Sequence, residues 1–121
     1  MKREYDETGL LKQIVGARLT SVCFVMDYLT LGFDEKGTLT SLVWPEVTDS
    51  AGSTTIFEEH GYRDRVCELI TQVVSDTQMT NDETILITFE NRSRLAIHLR
   101  DRKDSGERAI FTAPEHQLQV W

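Results

Sequence analysis

An imidazole beside carboxylates can hold a metal or shuttle a proton, and one such group stands in this chain, where His60 follows directly on Glu58 and Glu59. The other histidines, His98 and His116, have no second histidine or cysteine at a zinc-ligand spacing, and no HExxH pattern occurs. His98 falls between Ile97 and Leu99 on the polar face of a strand pattern, and His116 falls in a turn. The plainer reading of Glu58-Glu59-His60 is an acidic lead into the helix that follows, favourable to its N-terminal dipole. Nucleophilic chemistry has no footing: there is no GxSxG elbow, and Ala51-Gly52-Ser53 offers one glycine where a phosphate loop needs several. Cys23 and Cys67 lack CxxC spacing and each lies inside an apolar pattern, so both are expected as buried thiols. No catalytic residue, metal site or cofactor is expected.

The aromatic residues are more informative. Trp44 ends a strand pattern beside Pro45, Trp121 closes the sequence, and Tyr28 sits at a bend. Aromatics in such places form binding hot spots or cap a core. Loops carry function more often than the sheets they join. A partner-binding surface is therefore expected from Tyr28, Trp44, Glu46, Glu58, Glu59 and His60. The alternative is a small-molecule pocket near Tyr28, Trp44 and His60, with or without a minor enzymatic activity. A third reading is a structural subunit of a homo-oligomer that pairs through the terminal strand, residues 118–121.

These readings fit the composition. The 121 residues suit a single domain, 1–121, able to bury a core without metal or disulfide. The net charge of −7 and pI near 4.9 disfavour nucleic acid and anionic membranes as partners, and suit a basic protein surface. A locally basic run, Arg92 to Arg102 with Lys103 next, is bordered by acidic residues. No apolar stretch approaches membrane-spanning length, and the charged start lacks the apolar segment of a secretory signal, so a cytoplasmic protein is expected.

The elements that must position these residues read as follows. Residues 6–15 carry a short helix signal capped by Asp6 or Thr8, with Gly16 as its stop. Residues 18–26 form a strand with both faces apolar near its middle, expected to be buried on both sides or central in the sheet. Leu29, Leu31 and Phe33 alternate with polar or small residues, Asp34-Glu35-Lys36-Gly37 makes a turn, and 38–44 returns until Pro45 ends the ladder. Residues 45–60 have the least pattern. Residues 62–74 form a helix with Tyr62, Val66, Leu69, Ile70 and Val73 on one stripe, followed by a polar link, 76–82, with room for a short strand. Residues 83–100 form the clearest hairpin, turning at Glu90-Asn91-Arg92-Ser93. Residues 101–106 form a charged loop, then come a strand at Ala109 and Phe111, a turn at Pro114-Glu115-His116, and a last strand at Leu118, Val120 and Trp121.

The two hairpins align at an offset of 56, Leu29, Leu31, Phe33 and Leu39 falling on Ile85, Ile87, Phe89 and Leu95. The layout of helix then hairpin thus occurs twice, as an internal duplication or as the chance likeness of two amphipathic hairpins. The expected fold is α+β, a mostly antiparallel sheet of six or seven strands built from hairpins, with two helices on one face. The runs Gly16-Ala17-Arg18-Leu19-Thr20-Ser21-Val22, Tyr28-Leu29-Thr30-Leu31-Gly32-Phe33, Leu42-Val43-Trp44-Pro45 and Glu107-Arg108-Ala109-Ile110-Phe111, with the terminal Val120-Trp121, resemble small uncharacterised bacterial α+β proteins. Some of these are similar to the immunity-type proteins of bacterial toxin systems. The resemblance implies a non-enzymatic protein-binding module and transfers no ligand residue.

Overall fold

Alternation decides the strands. In Tyr28–Phe33, Leu29, Leu31 and Phe33 are buried while the residues between them are half-buried, and Thr84–Phe89 repeats the pattern with Ile85, Ile87 and Phe89. The computed structural model describes residues 8–81, 83–101 and 106–121. They form ten strands: β1 (Leu19–Val25), β2 (Tyr28–Phe33), β3 (Gly37–Ser41), β4 (Glu46–Thr48), β5 (Thr54–Thr55), β6 (Val74–Thr80), β7 (Thr84–Phe89), β8 (Arg94–His98), β9 (Ala109–Thr112) and β10 (Leu118–Val120). One α-helix, α1 (Tyr62–Cys67), and short 3₁₀ helices complete the set, the first of these at Gly9–Ile14.

The strands make two antiparallel sheets of five. The first has the order β1-β2-β3-β9-β10, the second β5-β4-β8-β7-β6. Each is a three-strand meander extended by a pair of strands from elsewhere in the chain. After β3 the chain crosses through Leu42-Val43-Trp44-Pro45 and lays β4 on β8. After β8 it crosses back and lays β9 on β3. Each arm then adds one edge strand, β5 or β10.

The sheets join where β1 and β6 begin. Leu19 N–H donates to Gln72 O at 2.9 Å and Val74 N–H to Ala17 O at 2.8 Å. Thr71 N–H donates to Leu19 O and Gly16 N–H to Val74 O, both at 2.8 Å. One shift of 55 residues relates all these partners: Gly16 to Thr71, Ala17 to Gln72, Leu19 to Val74. The irregularities in the ladders, Leu19/Ser21 in β1 and Val74/Asp76 in β6, obey the same shift.

A single apolar core lies within. Phe33, Phe89 and Phe111 are its largest fully buried side chains, joined by Leu11 and Ile14 from the first helix and Tyr62 and Val66 from α1. Burying each such ring contributes roughly 1.5–3 kcal/mol. Gly37 opens β3 with φ of 128°, where a Cβ would lie 2.5 Å from Thr112 O and 2.7 Å from the Phe111 ring. A glycine here lets β9 close on β3.

Several expectations are corrected. Ten strands in two sheets replace one sheet of six or seven. The first helix is a six-residue 3₁₀ helix, packed against β6 and β10, and it ends before Gly16, which takes φ of 90°. The second helix stops at Cys67, because the segment after it is needed at the sheet junction. Thr71 turns to φ of 86° and donates its N–H to Leu19, and β-branched Val74 opens β6, a seven-residue strand where a polar link with room for a short strand was expected. The return strand ends at Ser41 rather than Trp44, and the stretch 45–60 contains β4 and β5. β1 is an edge strand, not a central one, and Cys23, alternating with the half-buried Val22 and Phe24, lies on its outward face; Cys67, off the buried stripe of α1, is exposed as well. The two hairpins and their turns stand as expected, with Lys36 N–H on Phe33 O and Arg92 N–H on Phe89 O. Expectations placed on Asp6, Asp82 and residues 102–105 lie outside the described residues.

Candidate functional site

The first crossing segment sets a row of aromatic rings. The Ser41 hydroxyl donates to Val43 O, and the buried Tyr62 hydroxyl donates to Pro45 O. These bonds pin the chain on either side of Trp44. The Trp44 ring stacks on Phe57 with centroids 4.2 Å apart and planes 5° from parallel. It also lies near-parallel to Phe24 at 6.3 Å. Tyr62 stands edge-on to Phe24 and to Phe57, and the Arg63 guanidinium sits 5.5 Å over the Phe24 ring. Each such aromatic pair contributes about 0.5–1.5 kcal/mol beyond its buried area.

Phe57 reaches the row through the β4–β5 hairpin. Asp49 Oδ1 accepts the N–H groups of Ser53 at 2.9 Å and Ala51 at 3.0 Å, closing the turn, and Thr48 and Thr54 share a hydroxyl contact at 2.8 Å. The Ser53 N–H, with help from Ala51 and Arg65, holds the Asp49 carboxyl below the usual range despite some desolvation. Beyond β5, Glu59 Oε1 accepts the Ile56 N–H at 3.0 Å, and the Glu59 N–H donates back to Ile56 O. This turn presents Ile56 and Phe57, 47% and 36% exposed.

Between the crossing segment and this turn lies an open cavity of about 460 Å³. Leu42, Val43 and Trp44 form one wall, Ile56, Phe57 and Glu58 another, and Glu46 of β4 adds a carboxylate. Glu46 Oε2 is 3.2 Å from His98 Nε2, an ion-pair distance without hydrogen-bond alignment, and His98 Nδ1 is 3.1 Å from the hydroxyl of Thr84, its partner across β7 and β8.

Of the residues singled out by sequence, Trp44, Glu46 and Glu58 therefore meet at one cavity. Glu59 supports the wall through its turn. His60 is exposed just beyond, and Tyr28 lies at the β1–β2 turn opposite Val25. His98, read as a cross-strand or solvent residue, is half-buried behind Glu46. Phe24, Leu42, Val43, Ile56 and Phe57 were missed. Ile56-Phe57 is the only adjacent apolar pair in the polar stretch 46–60 and was the available signal. Among the described residues, no group of three or more His, Cys, Asp or Glu is placed to hold a metal ion, and no helix is long and apolar enough to cross a membrane. Compared with known proteins, the chain matches no family model, no curated protein and no solved structure.

The Tyr62 bond gives a pH signature. Burial pushes the Tyr62 phenol well above its ordinary value. The unfolded chain releases this proton near pH 10 while the folded protein keeps it, so stability holds below about pH 10 and declines as pH rises beyond. Thermal midpoints followed across that range should fall more steeply for the parent than for Tyr62→Phe. Equal slopes would remove Tyr62 as the cause.

Proposed function

We propose that this chain is a non-enzymatic protein-binding module whose contact surface centres on the Trp44–Phe57 cavity. One observation carries the reading. Trp44 and Phe57 are stacked in advance at the mouth of an open cavity, with Ile56 and Phe57 substantially exposed beside them. Rings already held in place lose little freedom when a partner covers them, which is how a few aromatic residues dominate an interface. Glu46 and Glu58 give the surface an acidic rim that favours a basic partner. Toxin neutralisation of the immunity type is one form this module would take, suggested by the resemblance noted above. The test is affinity capture from the native lysate with parent and Phe57→Ala baits, developed in the Discussion.

For the architecture, we propose a duplicated half-domain. The shared shift of 55 residues at the sheet junction and in both irregular ladders supports it, as does the repeated order of helix, meander, crossing and edge strand.

A second reading, self-association, is favoured by the edge strand β10, where Leu118 and Val120 are 59% and 48% exposed. On this reading sedimentation shows a concentration-dependent dimer that Val120→Lys abolishes. A monomer at every concentration removes it.

A further inference from the structure

We infer that the Trp44–Phe57 cavity is shaped to take a cationic side chain, an arginine presented by the protein partner. This rests on the protein-binding reading above and adds the chemistry of what is bound. Among the described residues, the charged side chains on the cavity wall are Glu46 and Glu58. Glu58 has no ion-pair partner among the described residues. Glu46 has only the His98 imidazole, held on its other side by Thr84.

Occupants differ sharply in what they would do to these carboxylates. An anion would be repelled by both, and by the net charge of −7. A purely apolar side chain would strip water from them and return no partner, which is costly. A cation meets the two carboxylates on the wall beside the partly exposed Phe57 ring that Trp44 backs, and aromatic rings attract cations. The same aromatic row already shows this contact, since the chain's own Arg63 sits over Phe24 at its other end. A guanidinium suits the site better than an ammonium. It is planar, stacks on rings, sheds water more easily and donates two parallel N–H bonds to a carboxylate.

The probe is N-acetyl-arginine amide, with its lysine and citrulline counterparts, titrated into the ¹⁵N-labelled protein. The readout is the Trp44 indole N–H resonance, assigned by its loss in Trp44→Phe. Citrulline keeps the shape and removes the charge. The expected result is saturable binding in the order arginine, lysine, citrulline, with citrulline weaker by about tenfold and Glu46→Gln/Glu58→Gln weakening arginine by a similar factor. Equal affinity for arginine and citrulline, no saturable shift with arginine, or unchanged binding by the double variant would each overturn the inference. Captured protein separates the cationic occupant from the protein-binding surface. Prey kept by the folded Glu46→Gln/Glu58→Gln bait but lost by Phe57→Ala overturns the cationic occupant and leaves the protein-binding surface standing. Prey kept by both overturns both.

Discussion

Phe111→Ala should lower the stability of this protein by about 3–5 kcal/mol, among the largest losses any single substitution here can cause. The ring is fully buried and its residue pairs with Leu39 of β3 on one side and Gln119 of β10 on the other. It is therefore the anchor by which the returning arm is seated on the first sheet. Truncation leaves a void between Gly37 and the core, and a glycine has no side chain with which to fill it. Against a total stability of roughly 5–15 kcal/mol, such a loss leaves a marginal protein. Urea unfolding should show a large drop in midpoint, and Phe111→Leu, which keeps much of the volume, should recover most of it. Parent-like midpoints in both variants would mean that β9 contributes little to holding the sheet together.

Phe57→Ala should act in the opposite way, sparing the fold and removing the partner. Phe57 is over a third exposed and follows a two-stranded edge hairpin, so its truncation reaches little of the core. It does remove the ring on which Trp44 is stacked. A hot-spot aromatic contributes at least about 2 kcal/mol to binding, roughly a thirtyfold change in affinity. A captured protein that remains on the parent bait after washing should be lost from Phe57→Ala, while the bait stays folded with its stability lowered by about 1–3 kcal/mol for the two lost ring pairs. The same prey on both baits, or none that distinguishes the parent from an unrelated acidic protein, would sink the proposed surface.

The parts of this fold that could be read from sequence are those whose cause is local. Leu29, Leu31 and Phe33, and their counterparts Ile85, Ile87 and Phe89, announce strands because their neighbours alternate. The turns at 34–37 and 90–93 follow from the residues that occupy them. β4 was illegible because its cause is distant: Glu46, Val47 and Thr48 are extended by pairing with Ala96, Leu95 and Arg94, far along the chain. The end of α1 was hidden for a related reason. Leu69, Ile70 and Val73 continue a helical stripe, yet the backbone at Thr71 and Val74 is taken by Leu19 and Ala17 of the other sheet. The cavity shows the same division. Trp44, Glu46 and Glu58 stood out by type and position, whereas Phe24, off the cavity wall, joins the aromatic row only through ring contacts with Trp44 and with Tyr62 of α1.

The crossing arms also bear on how the protein is made. By the time residue 60 leaves the ribosome, the first meander has no β9 to cover β3, and β4 has no β8 on which to settle. The nascent first half therefore carries two open strand edges and an unfilled side of its core. Open edges of this kind are where newly made chains cross-pair with one another. Neither half can finish before the other exists, so closure is one late event that depends on contacts between distant parts of the chain, a topology that slows folding. Once closed, each half is clasped by a pair of strands from the other, and pulling one meander loose exposes both.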